Sequence, residues 1–207
     1  MKKMQKKCRL CRREGVKLFL KGDRCFSQKC ALQRRNYPPG SGPDKRFSKQ
    51  TDYGKQLREK QKARRIFGVS EKFLCKCYKL ADKSKEITGD EILRLLEMRL
   101  DNFVFRAGFA DTRSQARQLV SHKVFLLNGV RVNIPSIKVK VNDKIEVSPR
   151  HKKLSIFANL KNKKDRKVPR WINSDHSKVM AEVKDEPSKD DFDITINSQV
   201  IVEYYSR

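Results

Sequence analysis

Apolar residues recur at helical spacing through the middle of the chain, and this pattern predicts its first elements. One stripe predicts a helix that begins after Ser70 and consists of Phe73, Leu74, Cys77, Tyr78 and Ala81. A second stripe predicts a helix that runs from Thr88 to a C-terminal cap at Gly108 and consists of Ile92, Leu93, Leu96 and Leu100. A third, shorter stripe consists of Ala116, Leu119 and Val120. These stripes indicate a helical core.

Polar residues at the ends of these stripes indicate where the helices begin. Thr88 with Glu91, and Thr112 with Gln115, have the spacing of capping boxes. A basic helix is predicted from the neighbourhood of Asp52 to Phe67, and Gly68 is placed to end it. The Pro- and Gly-containing stretch 36–49 before this helix predicts an extended linker.

Further along, the apolar pattern changes to alternation, which predicts strands. Asn128-Gly129 lies between alternating apolar residues and indicates a tight β-hairpin. Val139 and Val141, then Ile145 and Val147, predict two more short strands around 142–143. A short helix is predicted near 154–160, and one or two final strands are predicted within 194–205.

The charge of the chain indicates that its small core carries a large cationic surface. The 207 residues carry a formal net charge of +26, with 36% charged and 37% hydrophobic residues. Residues 1–65 hold 22 basic and 5 acidic residues, whereas 182–207 hold 3 basic and 7 acidic ones. An anionic polymer as partner explains this asymmetry, because cations that contact phosphates release condensed counterions.

Membrane partners fit the chain less well than nucleic acid. No apolar run approaches the roughly 20 residues that span a bilayer. The start, MKKMQKK, has no apolar stretch behind it, so no secretory signal is expected. Binding to a membrane surface would need large apolar residues opposite the basic faces, and these are scarce near the N-terminus.

Four cysteines near the N-terminus are spaced as a metal site. Cys8, Cys11, Cys25 and Cys30 follow the pattern C-x2-C-x13-C-x4-C, and two close pairs can supply four thiolates to a tetrahedral ion. Structural zinc is favoured over an iron–sulfur cluster; free thiols and disulfides are the alternatives, and disulfides need an oxidising compartment. For Cys75 and Cys77 we expect an idle surface thiol and a small core residue.

Basic and amide side chains are segregated from apolar ones over residues 99–147, which predicts a nucleic-acid groove. Arg99, Asn102 and Arg106 share one face of their helix, and Arg113, Arg117 and Ser121 share a face of the next. If the helices pack through their apolar stripes, the two rows meet on a rim with three residues of the hairpin region: His122, Lys123 and Arg131. A single arginine is usually just solvated, but the segregated set favours phosphate binding.

The helix predicted at 52–67 is basic on nearly every side, so it also needs an anionic neighbour. Its cations are Lys55, Arg58, Lys60, Lys62, Arg64 and Arg65. We predict that all of these cations except Lys60 bind RNA. The predicted RNA-binding set also includes the residues of the two arginine rows and the three hairpin residues named above. Its remaining members are Lys45, Arg46, Tyr53, Gln56, Ser114, Gln115, Gln118 and Asn128. Recognition of folded RNA by its shape fits clustered basic rims, and no dimeric recognition helix for DNA is evident.

Several motifs, in order, resemble one known family over almost the entire chain. They are CRLCRREGVKLFLKGDRCFSQKCALQRRNYPPG, YGKQLREKQKARRIFGVSEKFL, RLDNFVFRAGFADTRSQARQLVSHK, VNIPS and IVEYYSR. The chain is similar to the bacterial type of small-subunit ribosomal protein four. The family's pattern differs at Lys123, where glycine is usual, and Cys75 and Cys77 are not expected of it.

The resemblance implies an α+β fold in three parts. These are a metal-tied arm with linker at 1–45, a helical domain at 46–93 completed by 175–207, and an inserted RNA-binding module of two helices and a β-hairpin, with its extension, at 94–174. The implied function is a primary binder of small-subunit ribosomal RNA that nucleates subunit assembly and supports translational accuracy. Implied neighbours are protein five and messenger RNA at the entry channel, in the ribosomes of a bacterial cytoplasm or of an organelle matrix or stroma.

Two other classes of protein remain as alternatives. RNA-modifying enzymes carry a similar module, but the chain has no phosphate-binding glycine loop, and its histidines, His122, His151 and His176, are isolated. No catalytic residue and no small-molecule substrate are therefore expected. A zinc-finger DNA binder would need a base-reading helix after the cysteines, where the chain instead runs into Pro38-Pro39-Gly40.

Overall fold

The computed structural model describes residues 6–40, 42, 49–158, 168–192 and 195–207. Lys45 and Arg46, half of the predicted linker and the basic run at 161–167 lie outside the described residues. The chain divides into two compact units, Met1–Leu80 with Thr195–Arg207, and Ala81–Ile194. The predicted arm and most of the predicted helical domain thus belong to the first unit, while 81–93 and 175–194 belong with the module.

The elements follow the predicted order in most places. The helices are α1 (Lys7–Glu14), α2 (Ala31–Arg34), α3 (Asp52–Phe67), α4 (Glu71–Ala81), α5 (Thr88–Glu97), α6 (Leu100–Arg106), α7 (Arg113–Ser121), α8 (Ser155–Ala158) and α9 (Ser198–Tyr205). The strands are β1 (Phe125–Leu127), β2 (Val130–Arg131), β3 (Lys144–Val147), β4 (Ile172–Asp175) and β5 (Met180–Val183). Short 3-10 turns occupy Gly22–Cys25, Pro149–His151 and Lys189–Asp191.

In the first unit, α3 is bounded by the signals its sequence carries. The hydroxyl of Thr51 accepts a hydrogen bond from the Gly54 amide at 3.1 Å, and Gly68 ends the helix in the left-handed conformation at φ 65°. Its buried side chains Ala63, Ile66 and Phe67 belong to an apolar core, as do others from α4 and α9. The predicted α3 is therefore confirmed.

The strands predicted within 194–205 are wrong, because residues 198–205 form the helix α9. The side chain of Asn197 accepts a hydrogen bond from the Val200 amide at 3.4 Å and so caps this helix. Ile201 is fully buried on one side of α9. The β-branched residues of IVEYY suggested a strand, but a cap and one buried face outweigh that local preference.

In the second unit, five strands form an antiparallel sheet in the order β2-β1-β3-β5-β4. The hairpin at 128–129 is confirmed, since Asn128 and Gly129 both have positive φ, at 49° and 81°. The strand predicted at 139–141 is wrong: the neighbouring Lys138 makes only an isolated bridge to Arg99. The sequence reading missed β4 and β5, of which β5 pairs with β3.

The helix predicted from Thr88 to Gly108 is broken into α5 and α6. Arg99 has extended backbone, with φ −78° and ψ 142°, between the two helices. The amide of Leu100 then donates to the carbonyl of Ile137 at 2.9 Å instead of continuing the helix. The capping box at Thr88 is also wrong, because Ile87 holds the N-cap position and no side chain caps it. The cap at Thr112 is confirmed by its bond from the Gln115 amide at 3.2 Å.

Helices α6 and α7 pack on the sheet through one apolar core, as predicted. Leu100, Phe103 and Val104 from α6 are buried in the same cluster as Leu119 and Val120 from α7. The cluster continues into the sheet through Phe125, Ile145 and Trp171. Over the described residues, no helix has the length and apolarity that crossing a membrane requires.

Candidate RNA-binding interface

A buried carboxylate, Glu97, organises the polar side of α6. It is the last residue of α5 and only 1% exposed. Its side chain accepts hydrogen bonds from Asn102 Nδ2 at 2.5 Å, from Arg106 Nε at 2.9 Å and from Arg106 Nη2 at 2.6 Å. A buried charge is costly unless it is paired and hydrogen-bonded, and this one is both.

A second buried carboxylate, Asp101, holds Arg99. Arg99 Nε lies 3.0 Å from Asp101 Oδ1, and Arg99 Nη2 lies 2.7 Å from Asp101 Oδ2. Arg99 is 3% exposed and Asn102 is 2% exposed. The predicted surface position of these two residues is therefore wrong, because the break after Glu97 turns their side chains toward the two carboxylates. The helical face predicted for Arg99 and Asn102 does not form either, because Arg99 precedes α6 with extended backbone.

The row on α7 lies at the edge of this buried cluster. Arg113 Nε donates to Asn102 Oδ1 at 2.7 Å, and the Arg113 guanidinium carbon lies 4.6 Å from the centre of the Phe105 ring. Arg117 Nη1 lies 4.0 Å from Asp101 Oδ2, with half of its side chain exposed. Asp101 thus lies behind the Arg117 guanidinium, which reaches the surface, whereas Glu97 faces Arg106 and Arg113.

The C-terminal end of α7 and the hairpin continue this rim with exposed residues. Gln118, Ser121, His122, Lys123 and Arg131 are all exposed. Lys123 follows the helix with φ 59°, a conformation that favours glycine. These residues are accessible to solvent, and their joint role in one RNA-binding rim stays a prediction.

Three further predicted residues have local structural roles. Asn128 is part of the hairpin turn: its Nδ2 donates to Asp143 Oδ1 at 2.8 Å. Gln115 accepts a bond from the Asp111 amide at 2.7 Å, which tightens the start of α7. Ser114 is exposed, with its hydroxyl 3.2 Å from that of Thr112.

In the first unit, most of the predicted cations on α3 have carboxylate partners. Arg58 and Arg65 both bind Glu14, whose side chain is buried. Arg64 Nη1 lies 3.2 Å from Glu71 Oε2. Burial of the Glu14 carboxyl raises its pKa, and the two guanidinium groups oppose that shift. This side of α3 is therefore partly neutralised from within.

The other predicted residues of α3 differ in exposure. Gln56 is buried and donates to Glu203 Oε2 at 3.1 Å, so its predicted surface position is wrong: α9 covers it. Lys62 donates to Glu59 at 2.7 Å and to the Thr195 carbonyl at 2.9 Å. Tyr53 and Lys55 are exposed near the start of the helix, with Lys55 2.9 Å from Asp52.

Sequence reasoning missed the carboxylates that position these cations. Glu97 lies four residues after Leu93, on the apolar face of α5, and this was the available signal for a buried acid. Asp101 lies among apolar residues of α6 in the same way. Glu14 carried no comparable signal, because its partners Arg58 and Arg65 are far away in sequence.

The four N-terminal cysteines line one small cavity of about 20 Å³, together with Lys21 and Arg24. Its volume suits a single ion or water-sized particle. The amide of Lys21 donates to Cys25 Sγ at 3.4 Å, the kind of bond that stabilises a thiolate. Burial raises the pKa of the Cys11 thiol, and its three neighbouring cysteines raise it further. The four thiols therefore share one enclosed cavity, and thiolates are a donor type that zinc accepts.

Two further observations describe the state of the cysteines. Among the described residues, no group of three or more Cys, His, Asp and Glu side chains is arranged closely enough to hold a metal ion. All six cysteines are described and none is in a disulfide, so the oxidised alternative is not what the structure adopts. Cys77 is buried in the core and Cys75 is half-buried on α4.

The fold and its cationic rim define a class, an RNA-binding module attached to a helical ribosomal-type domain, and comparison with known proteins agrees. Residues 2–97 match the family model for the ribosomal protein S4/S9 N-terminal domain, and residues 98–145 match the S4 domain. The chain is 50% identical over 200 residues to small ribosomal subunit protein uS4 of Clostridium tetani, covering 97% of this chain and 96% of that protein. It is also 50% identical over 202 residues to protein uS4A of Nitrosomonas europaea, covering 97% of each. The chain belongs to the uS4 family of small ribosomal subunit proteins.

Proposed function

We propose that this chain is a non-enzymatic, structural protein of the small ribosomal subunit and a primary binder of its ribosomal RNA. The observation that carries the proposal is the edge of α7, where the half-exposed Arg117 lies 4.0 Å from the buried Asp101 and is followed by the exposed Gln118, Ser121, His122 and Lys123. A buried acid orients the neighbouring arginine, and the half-exposed Arg117 guanidinium keeps the planar, forked donors that suit bidentate phosphate binding.

The RNA contacts follow the exposure of the predicted residues. We assign phosphate contact to exposed members of the predicted set: Tyr53, Lys55, Ser114, Arg117, Gln118, Ser121, His122, Lys123 and Arg131. We add Arg113, whose side chain is 14% exposed and which precedes Arg117 by one turn of α7. Arg99, Asn102 and Gln56 instead hold this surface in place, because their side chains are buried on carboxylates. Lys45 and Arg46 stay predicted contacts from the sequence alone.

Sedimentation tests the proposal directly. The tagged protein is expressed in a bacterium. It is expected to sediment with small ribosomal subunits in a density gradient and to stay bound to them in moderate salt. A filter-binding titration with transcribed bacterial small-subunit ribosomal RNA supplies the affinity. A protein that stays at the top of the gradient and binds this RNA no better than an unrelated transcript would contradict the proposal.

The more specific roles come from the family resemblance. As a primary binder the protein would nucleate subunit assembly, and on the assembled subunit it would contact protein five and messenger RNA at the entry channel and support accurate decoding. Reconstitution tests these roles: subunits assembled without the protein are expected to lack late-binding proteins, and crosslinks from the completed subunit are expected to reach protein five. The compartment would be the bacterial cytoplasm or an organelle matrix or stroma.

We also propose that Cys8, Cys11, Cys25 and Cys30 bind a structural zinc ion. The support is the shared cavity of the four thiols, their C-x2-C…C-x4-C spacing, and the amide bond to Cys25. Native mass spectrometry of the purified chain is expected to show one zinc ion per molecule and none after Cys8→Ser with Cys11→Ser. Bound iron with acid-labile sulfide would instead establish the cluster as the occupant.

A further inference from the structure

Two phenylalanines in the segment between Cys11 and Cys30 are stacked on each other and exposed to solvent. The ring centres of Phe19 and Phe26 lie 5.1 Å apart, with an angle of 30° between the ring planes. Phe19 is 42% exposed and Phe26 is 73% exposed, the largest exposed fraction among the large apolar side chains described. Stacking covers one face of Phe26, so the other face is open.

The backbone holds this pair in place at an energetic cost. Phe19 has φ 49°, which is rare for a bulky residue without a turn glycine. Strained backbone of this kind persists where the surrounding structure specifies it, and it is concentrated at functional sites. Leu18, directly before it, is buried, so the chain anchors one residue inside and presents the next outside.

The surroundings of the pair are cationic. Residues 17–29 contain four basic residues against one acid, Asp23. Of the basic residues, Lys21, Arg24 and Lys29 are exposed. An open aromatic face on a segment with three exposed cations suits a nucleotide, since the ring can stack on the base while the cations bind the phosphate. An apolar side chain of a partner protein would gain nothing from the cations.

We propose that Phe26, supported by Phe19, is a stacking platform for an unpaired base of the ribosomal RNA. The proposal rests on the proposed function and adds to it a contact outside the S4 domain. Base stacking on an aromatic side chain tolerates any sequence, because every base has a π face. The segment between Cys11 and Cys30 would thus bind RNA and not only fold the arm.

The test is a titration of full-length variants with transcribed bacterial small-subunit ribosomal RNA. Phe26→Ala is expected to weaken binding about 5- to 150-fold, the range for loss of one stacked base. The slope of affinity against salt is expected to stay unchanged, because no charge is removed. Phe26→Tyr is expected to restore binding and Phe26→Leu is not, since only the former keeps a π face. Ile87→Ala, which truncates an exposed apolar residue in the other unit, serves as the control.

A second readout observes the stack directly. The chain has one tryptophan, the buried Trp171, so a Phe26→Trp variant adds one exposed indole. Its extra fluorescence is expected to be quenched by the RNA, and circular dichroism controls for folding. If the unaltered protein binds the RNA tightly and Phe26→Ala binds equally well, the stacking platform is overturned but the proposed function is not. The same holds if Phe26→Leu fully restores binding. If Phe26→Ala weakens binding only to assembled subunits, Phe19 and Phe26 contact a protein partner, and this outcome also overturns the stacking platform. Failure of the unaltered protein to bind overturns the proposed function.

Discussion

Arg99 and Asp101 form a two-point ion pair inside the second unit, with both nitrogen–oxygen distances at or below 3.0 Å and almost no exposure of either side chain. Asp101 Oδ1 also accepts the backbone amide of Asn102 at 3.0 Å. The pair therefore stabilises the break between α5 and α6 and, with Glu97, the positions of Arg106, Arg113 and Arg117. A surface formed in this way depends on acids that the solvent does not reach.

Asp101→Ala tests this dependence through stability. The change leaves the Arg99 guanidinium buried without this carboxylate, so we expect a loss of about 3–5 kcal/mol in the free energy of unfolding. Urea denaturation measures it as a lower midpoint. The matched control is Glu182→Gln, which breaks the exposed pair of Lys144 and Glu182 and is expected to cost less than about 1 kcal/mol. Equal effects of the two changes would show that the buried pair is not a stabilising anchor.

Local signals in the sequence were enough for most elements of the second unit but not for its polar core. The Asn128-Gly129 turn and the Thr112 cap act within a few residues, so their sequence motifs predicted them correctly. The break at Arg99 depends on the Ile137 carbonyl and on Asp101, and a long-range hydrogen bond leaves no local pattern. The arginine row on α6 was located by helical spacing, yet spacing alone does not tell which side of a helix faces solvent.

The same limit applies in the first unit. The basic residues of α3 suggested a helix that only an external anion could stabilise, whereas Glu14 and Glu71 supply part of that charge from other elements. The helix α9 was mistaken for strands because its β-branched residues have strand preference, and its fit against α3 is a tertiary effect. The cysteine spacing indicated correctly that the four thiols lie around one cavity, and the metal ion stays a prediction.

Replacing Arg113 and Arg117 together with alanine is expected to weaken RNA binding and to lower its salt slope by about 0.7–0.9 for each lost phosphate contact. Filter binding at several salt concentrations measures both quantities. The control replaces Lys72 and Lys76, which are exposed on α4, and is expected to leave the slope nearly unchanged. An unaltered slope in the Arg113 and Arg117 variant would remove these residues from the RNA interface.

Lys123→Gly separates stability from binding at one position. Lys123 has φ 59°, and relief of the left-handed strain is expected to stabilise the protein by about 1 kcal/mol. The loss of the charge is expected to lower the salt slope of RNA binding by less than about one unit. Lys123→Ala is the control: it removes the charge but keeps the Cβ, so it should lower the slope without the gain in stability. A glycine variant no more stable than the alanine variant would contradict the strain argument.

Acid is expected to weaken the first unit through Glu71. Burial alone would raise the pKa of this carboxyl, but hydrogen bonds from Lys60, Tyr205 and Arg64 outweigh it, so the pKa lies below its ordinary value of 4.5. A lowered folded-state pKa means that the stabilisation is present above pH 4.5 and is lost as the pH falls through the folded-state pKa. The effect is small, about 1 kcal/mol, because 41% of the side chain is exposed. Glu71→Gln should remove this part of the acid dependence, and an unchanged pH profile in that variant would contradict the assignment.

Metal removal is expected to destabilise the N-terminal arm but not the RNA-binding module. If one zinc ion is bound by Cys8, Cys11, Cys25 and Cys30, a chelator removes the cross-link between α1, the 3-10 turn at Gly22–Cys25 and the start of α2, which bury few apolar residues of their own. Hydrogen exchange is then expected to rise over residues 6–40 and to stay slow over 98–145, where α6, α7 and the sheet share an apolar core. Added zinc should restore the protection, and Cys75→Ser should behave like the unaltered chain because Cys75 lies outside the cavity. Unchanged exchange in the arm after the metal is gone would mean that contacts such as Glu14 with Arg58, and not the ion, hold this segment on α3.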